Sequence, residues 1–181
     1  DVMGIHAIAV VGELDRYIAQ ISRFPLLSPE EETRLAVKWR EEEDVQAAHT
    51  LVTSNLRFVV KIANEYRGYG AKLLDLIQEG SVGLMKAVKR FDPHRGYRLL
   101  SYAVHWIRSE MHTFLMRTLK SVRLGSTRAQ RKLFFKLRAL KGKLAAQGIA
   151  DRQEVIDIIA DETGVEKEQV EELDTRLCRQ E

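Results

Sequence analysis

Residues 92–117 read DPHRGYRLLSYAVHWIRSEMHTFLMR. A Pro/Gly turn leads into a run with apolar residues every third or fourth place: Leu100, Ala103, Val104, Ile107, Met111 and Leu115. That period predicts a helix from about Leu99 to Arg117. Tyr102, His105, Ser109 and His112 fall on the other side, with Arg108 at its edge. Trp106 and Phe114 lie close to the inward stripe, which leaves Trp106 open between core and surface. The rings of Tyr97, Tyr102, Trp106 and Phe114 alternate with Arg95, Arg98, Arg108 and Arg117. Unpaired bases stack on rings and phosphates take cations, so the segment suits a nucleic acid. Any amphipathic helix also sorts aromatics from charges, and the segment alone supports that reading equally.

The charge around it tips the balance. Residues 1–85 hold 9 Lys/Arg against 13 Asp/Glu, residues 86–141 hold 15 against 2, and residues 142–181 hold 5 against 11. The net charge of +3 therefore hides a strongly basic middle. Solvated helices usually mix signs, so a block of one sign marks a polyanion-binding region.

The rest of the chain is also helical in pattern. Leu14, Tyr17, Ile18 and Ile21 predict a helix over 13–23, stopped by Pro25. Ser28-Pro29-Glu30-Glu31 is a helix start, with Ser as N-cap and Pro at the first position. Its helix is expected to end near Trp39, before the charged turn Arg40–Asp44. Ala48, Leu51, Val52, Leu56, Val59, Val60 and Ala63 predict one long helix from Val45 to about Arg67, ended by Gly68 and Gly70. In 73–91, Gly80 and Gly83 interrupt an apolar line at a cost of roughly 1 kcal/mol each. They imply a break between two short helices or the close approach of a neighbour.

Beyond the basic middle, a helix is expected from Ser126 or Thr127, with Leu133, Phe134, Leu137 and Leu140 inward and Gly148 at its end. Asp151 and Glu154 form a second capping box opening Arg152–Thr163, and Gly164 precedes a last helix to about Cys178. This final pair has helix-turn-helix spacing. Its second helix carries Glu166, Glu168, Glu171, Glu172 and Asp174, which phosphates repel, so it reads as a packing or protein-contact element.

Enzyme chemistry is not apparent. There is no phosphate-cradling glycine motif, no Cys/His zinc spacing, and His105 and His112 stand about 10 Å apart along a helix. No cofactor is expected. The single cysteine, Cys178, fits a reducing compartment. No apolar run approaches the ~18 residues of a membrane span, and the first residues carry no basic leader, so a cytoplasmic setting is expected.

DLIQEGSVGLMKAVKRFDP (Asp75–Pro93) and SYAVHWIR (Ser101–Arg108) resemble conserved region 2 of the bacterial sigma-70 family of transcription initiation factors. SNLRFVVKIANEYRGYG (Ser54–Gly70) fits the helix before them. QRKLFFKLR (Gln130–Arg138) looks like the box of heat-shock members, as does His105 before Trp106, where housekeeping members carry a second Trp. The resemblance runs from about Leu14 to the end. Departures are Leu99 in place of a Phe, Lys136 within the heat-shock box, and Gly125 in place of a Pro. The region that reads the −35 element has no counterpart, which leaves open a fragment or a factor without that contact.

The resemblance implies an all-α fold of two helical domains: regions 1.2 and 2 over residues 1–119, then a linker and region 3 over 120–181. It implies a non-enzymatic factor that binds core RNA polymerase, recognises the −10 element and captures the separated non-template strand, for heat-shock genes. Asp75, Leu76, Gln78, Glu79, Leu84 and Met85 look like the patch that docks on a coiled coil of the polymerase largest subunit. Tyr97, Leu99, Tyr102, His105 and Trp106 match positions that unstack promoter bases. Arg98, Arg108 and Arg117 would hold the backbone, Arg95 is counted with the DNA-binding residues, and Ser109 and His112 would face the upstream edge. Arg123, Thr127, Arg128, Gln130 and Arg131 would meet DNA just upstream. Ala48 and Val52 match a surface through which heat-shock members are marked for turnover, which implies chaperone or protease control. The competing reading is a basic helical regulatory module that binds DNA or polymerase without melting a promoter.

Overall fold

The computed structural model describes the backbone of residues 2–120 and 127–178, and the side chains of 12–118 and 127–178. These residues form nine α-helices and no strand. They are α1 Val2–Ile21, α2 Pro29–Glu42, α3 Val45–Thr53, α4 Leu56–Asn64, α5 Leu73–Arg90, α6 Leu99–Lys120, α7 Arg128–Ala146, α8 Arg152–Thr163 and α9 Lys167–Cys178. The class is all-α, as the patterns predict. The chain divides into two compact units, residues 1–67 with 72–114 and residues 68–71 with 115–181. The division falls inside α6 rather than after residue 119. Arg123 and Gly125 lie outside the described residues.

In the first unit, α2 begins as its sequence predicts: Ser28 Oγ accepts the Glu31 amide at 3.1 Å and Pro29 takes the first position. It runs to Glu42, past the expected stop at Trp39, and Glu43 turns the chain with φ 54°. Asp44 caps α3, accepting the Gln46 amide at 2.9 Å. The expected single helix from Val45 to Arg67 is two helices, broken at Ser54-Asn55. Both residues are buried, and Asn55 Nδ2 donates to the Leu51 carbonyl at 2.7 Å. Thr53, Ser54 and Asn55 are three successive weak helix formers, and the Thr53 hydroxyl and Asn55 amide bond to backbone carbonyls one turn back.

Gly80 and Gly83 do not break α5. They let α6 approach it. A Cβ on Gly83 would stand 2.6 Å from the Trp106 carbonyl oxygen and 2.8 Å from the Ile107 Cα, which no side chain can do. α6 buries Leu99, Ala103, Ile107 and Met111 completely, while Leu100 and Val104 are only half-buried. The inward stripe thus starts at Leu99, one residue before the expected Leu100. Glu32 of α2 sets this phase. Its Oε1 accepts the Leu99 amide at 2.8 Å, supplying an acceptor and negative charge where the α6 dipole is positive.

The second unit is built on α7, α8 and α9. Thr127 and Gln130 close a reciprocal capping box: Thr127 Oγ1 accepts the Gln130 amide at 3.2 Å and Gln130 Oε1 accepts the Thr127 amide at 3.1 Å. Asp151 caps α8 through the Gln153 and Glu154 amides, both at 3.0 Å. Leu133, Phe134, Leu137, Ile156, Ile159, Val170 and Leu173 form the core. Asp174 is buried beside Lys141 Nζ at 2.5 Å and Arg152 Nε at 3.3 Å, and so is neutralised from two sides. Glu166, Glu168, Glu171 and Glu172 of the final helix pair are all exposed.

Candidate nucleic-acid interface

α5 ends at Arg90 with Phe91 as its C-cap, a 3-10 turn spans Pro93–Arg95, and Gly96 reverses the chain with φ 78° into α6. Asp92 holds the turn by accepting the His94 amide at 3.1 Å. That bond, aided by the nearby Arg40 and His94 charges, keeps the Asp92 carboxyl below the usual carboxylate range. The turn brings four rings together. Phe91 lies 6.0 Å from Tyr97 and 6.2 Å from Tyr102, Tyr97 lies 6.3 Å from Tyr102, and Tyr102 lies 6.2 Å from Trp106. Phe91 is buried and anchors the row. Tyr97 is 41% exposed, while Tyr102 and Trp106 are half-buried. Trp106 is therefore neither pure core nor pure surface. Its backbone is pinned against Gly83, its edge meets Tyr102, and the Arg90 guanidinium lies over its ring at 4.9 Å. His105 and Ser109 are exposed on α6.

Several cations of this face have partners within the chain. Arg95 is 3.6 Å from Asp92, Arg98 is 3.1 Å from Glu32, and Arg108 is 3.0 Å from Glu65. His112 Nε2 is 2.8 Å from the Tyr66 hydroxyl. Burial, and then the Arg108 charge, lowers the His112 pKa and favours the neutral ring. Arg117 is exposed and lies in the second unit, as do Thr127, Arg128, Gln130 and Arg131. Arg128 and Arg131 are exposed, whereas Thr127 and Gln130 are engaged in the α7 cap and Gln130 also donates to Gln169 at 2.6 Å.

Three assignments need correction. Leu99, Leu76 and Leu84 are each fully buried. They support the faces assigned to them from inside and cannot touch a partner. The outer face of α5 consists instead of Asp75, Gln78, Val82 and Met85, with Glu79 half-buried. Val82 (39% exposed) and Met85 (50%) give it an apolar centre, and Val82 escaped the sequence reading.

The sequence reading also missed a cleft of about 350 Å³ beside the start of α6. Glu32, Ser54, Asn55, Phe58, Arg98 and Leu100 line it. The Ser54 hydroxyl is buried there without a hydrogen-bond partner among the described residues. Among these residues no cluster of three His, Cys, Asp or Glu is placed to hold a metal, and no helix is long and apolar enough to cross a membrane.

Residues 51–120 match the family model for sigma-70 region 2, and residues 14–44 match that for sigma-70 factor region 1.2. The chain belongs to the sigma-70 family. Its region 1.2 match covers the end of α1 and all of α2, and its region 2 match runs from the end of α3 through α6, so the aromatic row and the cleft lie within sigma-70 sequence. The chain is 44% identical over 179 residues to the RNA polymerase sigma factor RpoH of Caulobacter vibrioides (strain NA1000 / CB15N), covering 97% of this chain and 61% of that protein. It is 46% identical over 166 residues to RpoH of Zymomonas mobilis subsp. mobilis, covering 91% of this chain and 55% of that protein. The chain thus spans less than two thirds of the length of either sigma-70 relative.

Proposed function

We infer that this chain is the polymerase-binding and −10-recognising part of a heat-shock-type sigma factor, and that it acts in the cytoplasm without catalysing a reaction itself. The row Tyr97–Tyr102–Trp106, accessible and flanked by arginines, carries this reading. Opening a duplex costs stacking energy, and an aromatic surface returns about 1–3 kcal/mol for each base it receives. The cleft beside Arg98 has room for a single unstacked base, with Phe58 and Leu100 as apolar walls and the unmatched Ser54 hydroxyl as a polar contact.

The outer face of α5, centred on Gln78, Val82 and Met85, docks on the coiled coil of the polymerase largest subunit. Asp75 and Glu79 supply its negative rim. Control by a chaperone or protease would use the outer side of α3, where Ala48 and Val52 are half-buried and Val45 is 68% exposed.

The test is binding of a fluorescent single-stranded −10 oligonucleotide by core polymerase with and without this chain. The chain should confer binding that a scrambled oligonucleotide does not share. Equal binding of both sequences contradicts the reading.

A further inference from the structure

The box Gln130–Arg138, QRKLFFKLR, lies within α7, and its residues divide by what they touch. Leu133, Phe134 and Leu137 are buried in the core of the second unit, and Gln130 closes the α7 cap. Arg131, Lys132 and Lys136 are exposed. Phe135 and Arg138 are half-buried, and with Phe134 they surround a side chain from far away in sequence, Tyr69. Residues 68–71 belong to the second unit, although the chain on either side of them belongs to the first. Tyr69 is buried. Its ring lies 5.1 Å from that of Phe134 and 6.2 Å from that of Phe135. Its hydroxyl donates to the Phe135 carbonyl at 3.3 Å, and the Arg138 Cζ is 5.3 Å from its ring centre. Burial raises the phenol pKa against the opposing Arg138 charge, so the hydroxyl stays a donor. Gly68 completes the fit: its φ is 84°, and a Cβ there would stand 2.8 Å from the Arg138 Cζ.

We propose that the box is a socket for the turn 68–71, and that Tyr69 and Arg138 are positioning residues for the start of α5. The proposal rests on the reading that the outer face of α5 docks on polymerase. α5 begins at Leu73, two residues beyond the turn, and Asp75 of the docking face stands in its first turn. Lys72, at the N-cap, makes no side-chain hydrogen bond to the helix, so no local cap fixes the entry. The seated ring restrains it instead. Burial of an aromatic ring against two others and a cation offsets the entropy lost in ordering the turn. Lys136, the departure within the box, is exposed and leaves the socket intact.

Two measurements test this. In the free chain, amide hydrogen exchange at Leu73–Leu76 should rise about twofold to thirtyfold in Tyr69→Ala and in Arg138→Ala, while α2 and α8 exchange as in wild type. Tyr69→Phe keeps the ring and loses one long hydrogen bond, so it should retain most of the protection. Unchanged exchange in the first turn of α5, or an equal rise over every helix, overturns the positioning role.

The second measurement is affinity for core polymerase. Tyr69 lies outside the box, yet Tyr69→Ala should weaken binding as much as Arg138→Ala does. The double variant should lose no more than either single one, because the two side chains act as one unit. Lys136→Ala should bind as wild type does. A loss in Arg138→Ala with wild-type affinity in Tyr69→Ala would mean that the box touches polymerase itself, and it overturns the proposal, as does wild-type affinity in both. Failure of the wild-type chain to bind core polymerase instead overturns the functional reading on which the proposal rests.

Discussion

The Oε1 atom of Glu32 accepts the Leu99 amide at 2.8 Å and the Arg98 Nε–H at 3.1 Å. One buried carboxylate on α2 therefore holds both the first amide of α6 and the Arg98 cation beside it. Region 1.2 and region 2 sequence meet in this contact.

Replacing Glu32 with Ala strands the buried Leu99 amide. The loss should be about 1–3 kcal/mol, the cost of an unsatisfied buried donor. Glu32→Gln keeps an acceptor oxygen and should lose less. Denaturant unfolding followed by circular dichroism measures both, and equal midpoints for Glu32→Ala and wild type would remove Glu32 from the account of the fold.

Two helix-interior glycines should respond with opposite sign. In Gly83→Ala the new methyl meets the Trp106 backbone, and overpacking of this kind costs about 1–3 kcal/mol. Gly142 in α7 has nothing within 4 Å, so Gly142→Ala should gain about 0.5–1 kcal/mol from helix propensity. Thermal melts of the two variants should move apart from wild type in opposite directions.

His112 supplies a pH dependence. Burial, then Arg108, lowers its folded-state pKa from the ordinary value of 6.5. The unfolded chain therefore binds the proton more readily. The contribution of His112 to stability is complete above about pH 6.5 and is lost as pH falls towards the folded-state pKa. The urea midpoint should drop between about pH 7.5 and about pH 5.5, and His112→Gln should flatten that drop. A ring titration of His112 centred at or above 6.5 contradicts the burial argument.

Local chemistry was legible in the sequence. Ser28, Asp151 and Gly164 act where their residue types predict, because caps and left-handed turns depend on a few neighbouring atoms. The aromatic row was also legible, since its rings are close in sequence and the turn at Gly96 gathers them. Distant contacts were not. Periodicity leaves Leu99 and Leu100 nearly equivalent, and a carboxylate 67 positions away decides between them. Similarly, the apolar stripe continues across Ser54-Asn55 although the helix does not. Leu76 and Leu84 were drawn to the docking face by motif membership, whereas helical geometry turns them inward and turns Val82 out.

The central claim is that the aromatic row captures unstacked promoter bases, and Tyr102 touches Phe91, Tyr97 and Trp106 within it. Permanganate reactivity of promoter thymines, measured with Tyr102→Ala assembled on core polymerase, tests it most directly. The account predicts that polymerase binding stays intact while thymine reactivity in the −10 element falls well below wild type. Undiminished reactivity in the assembled variant would contradict it.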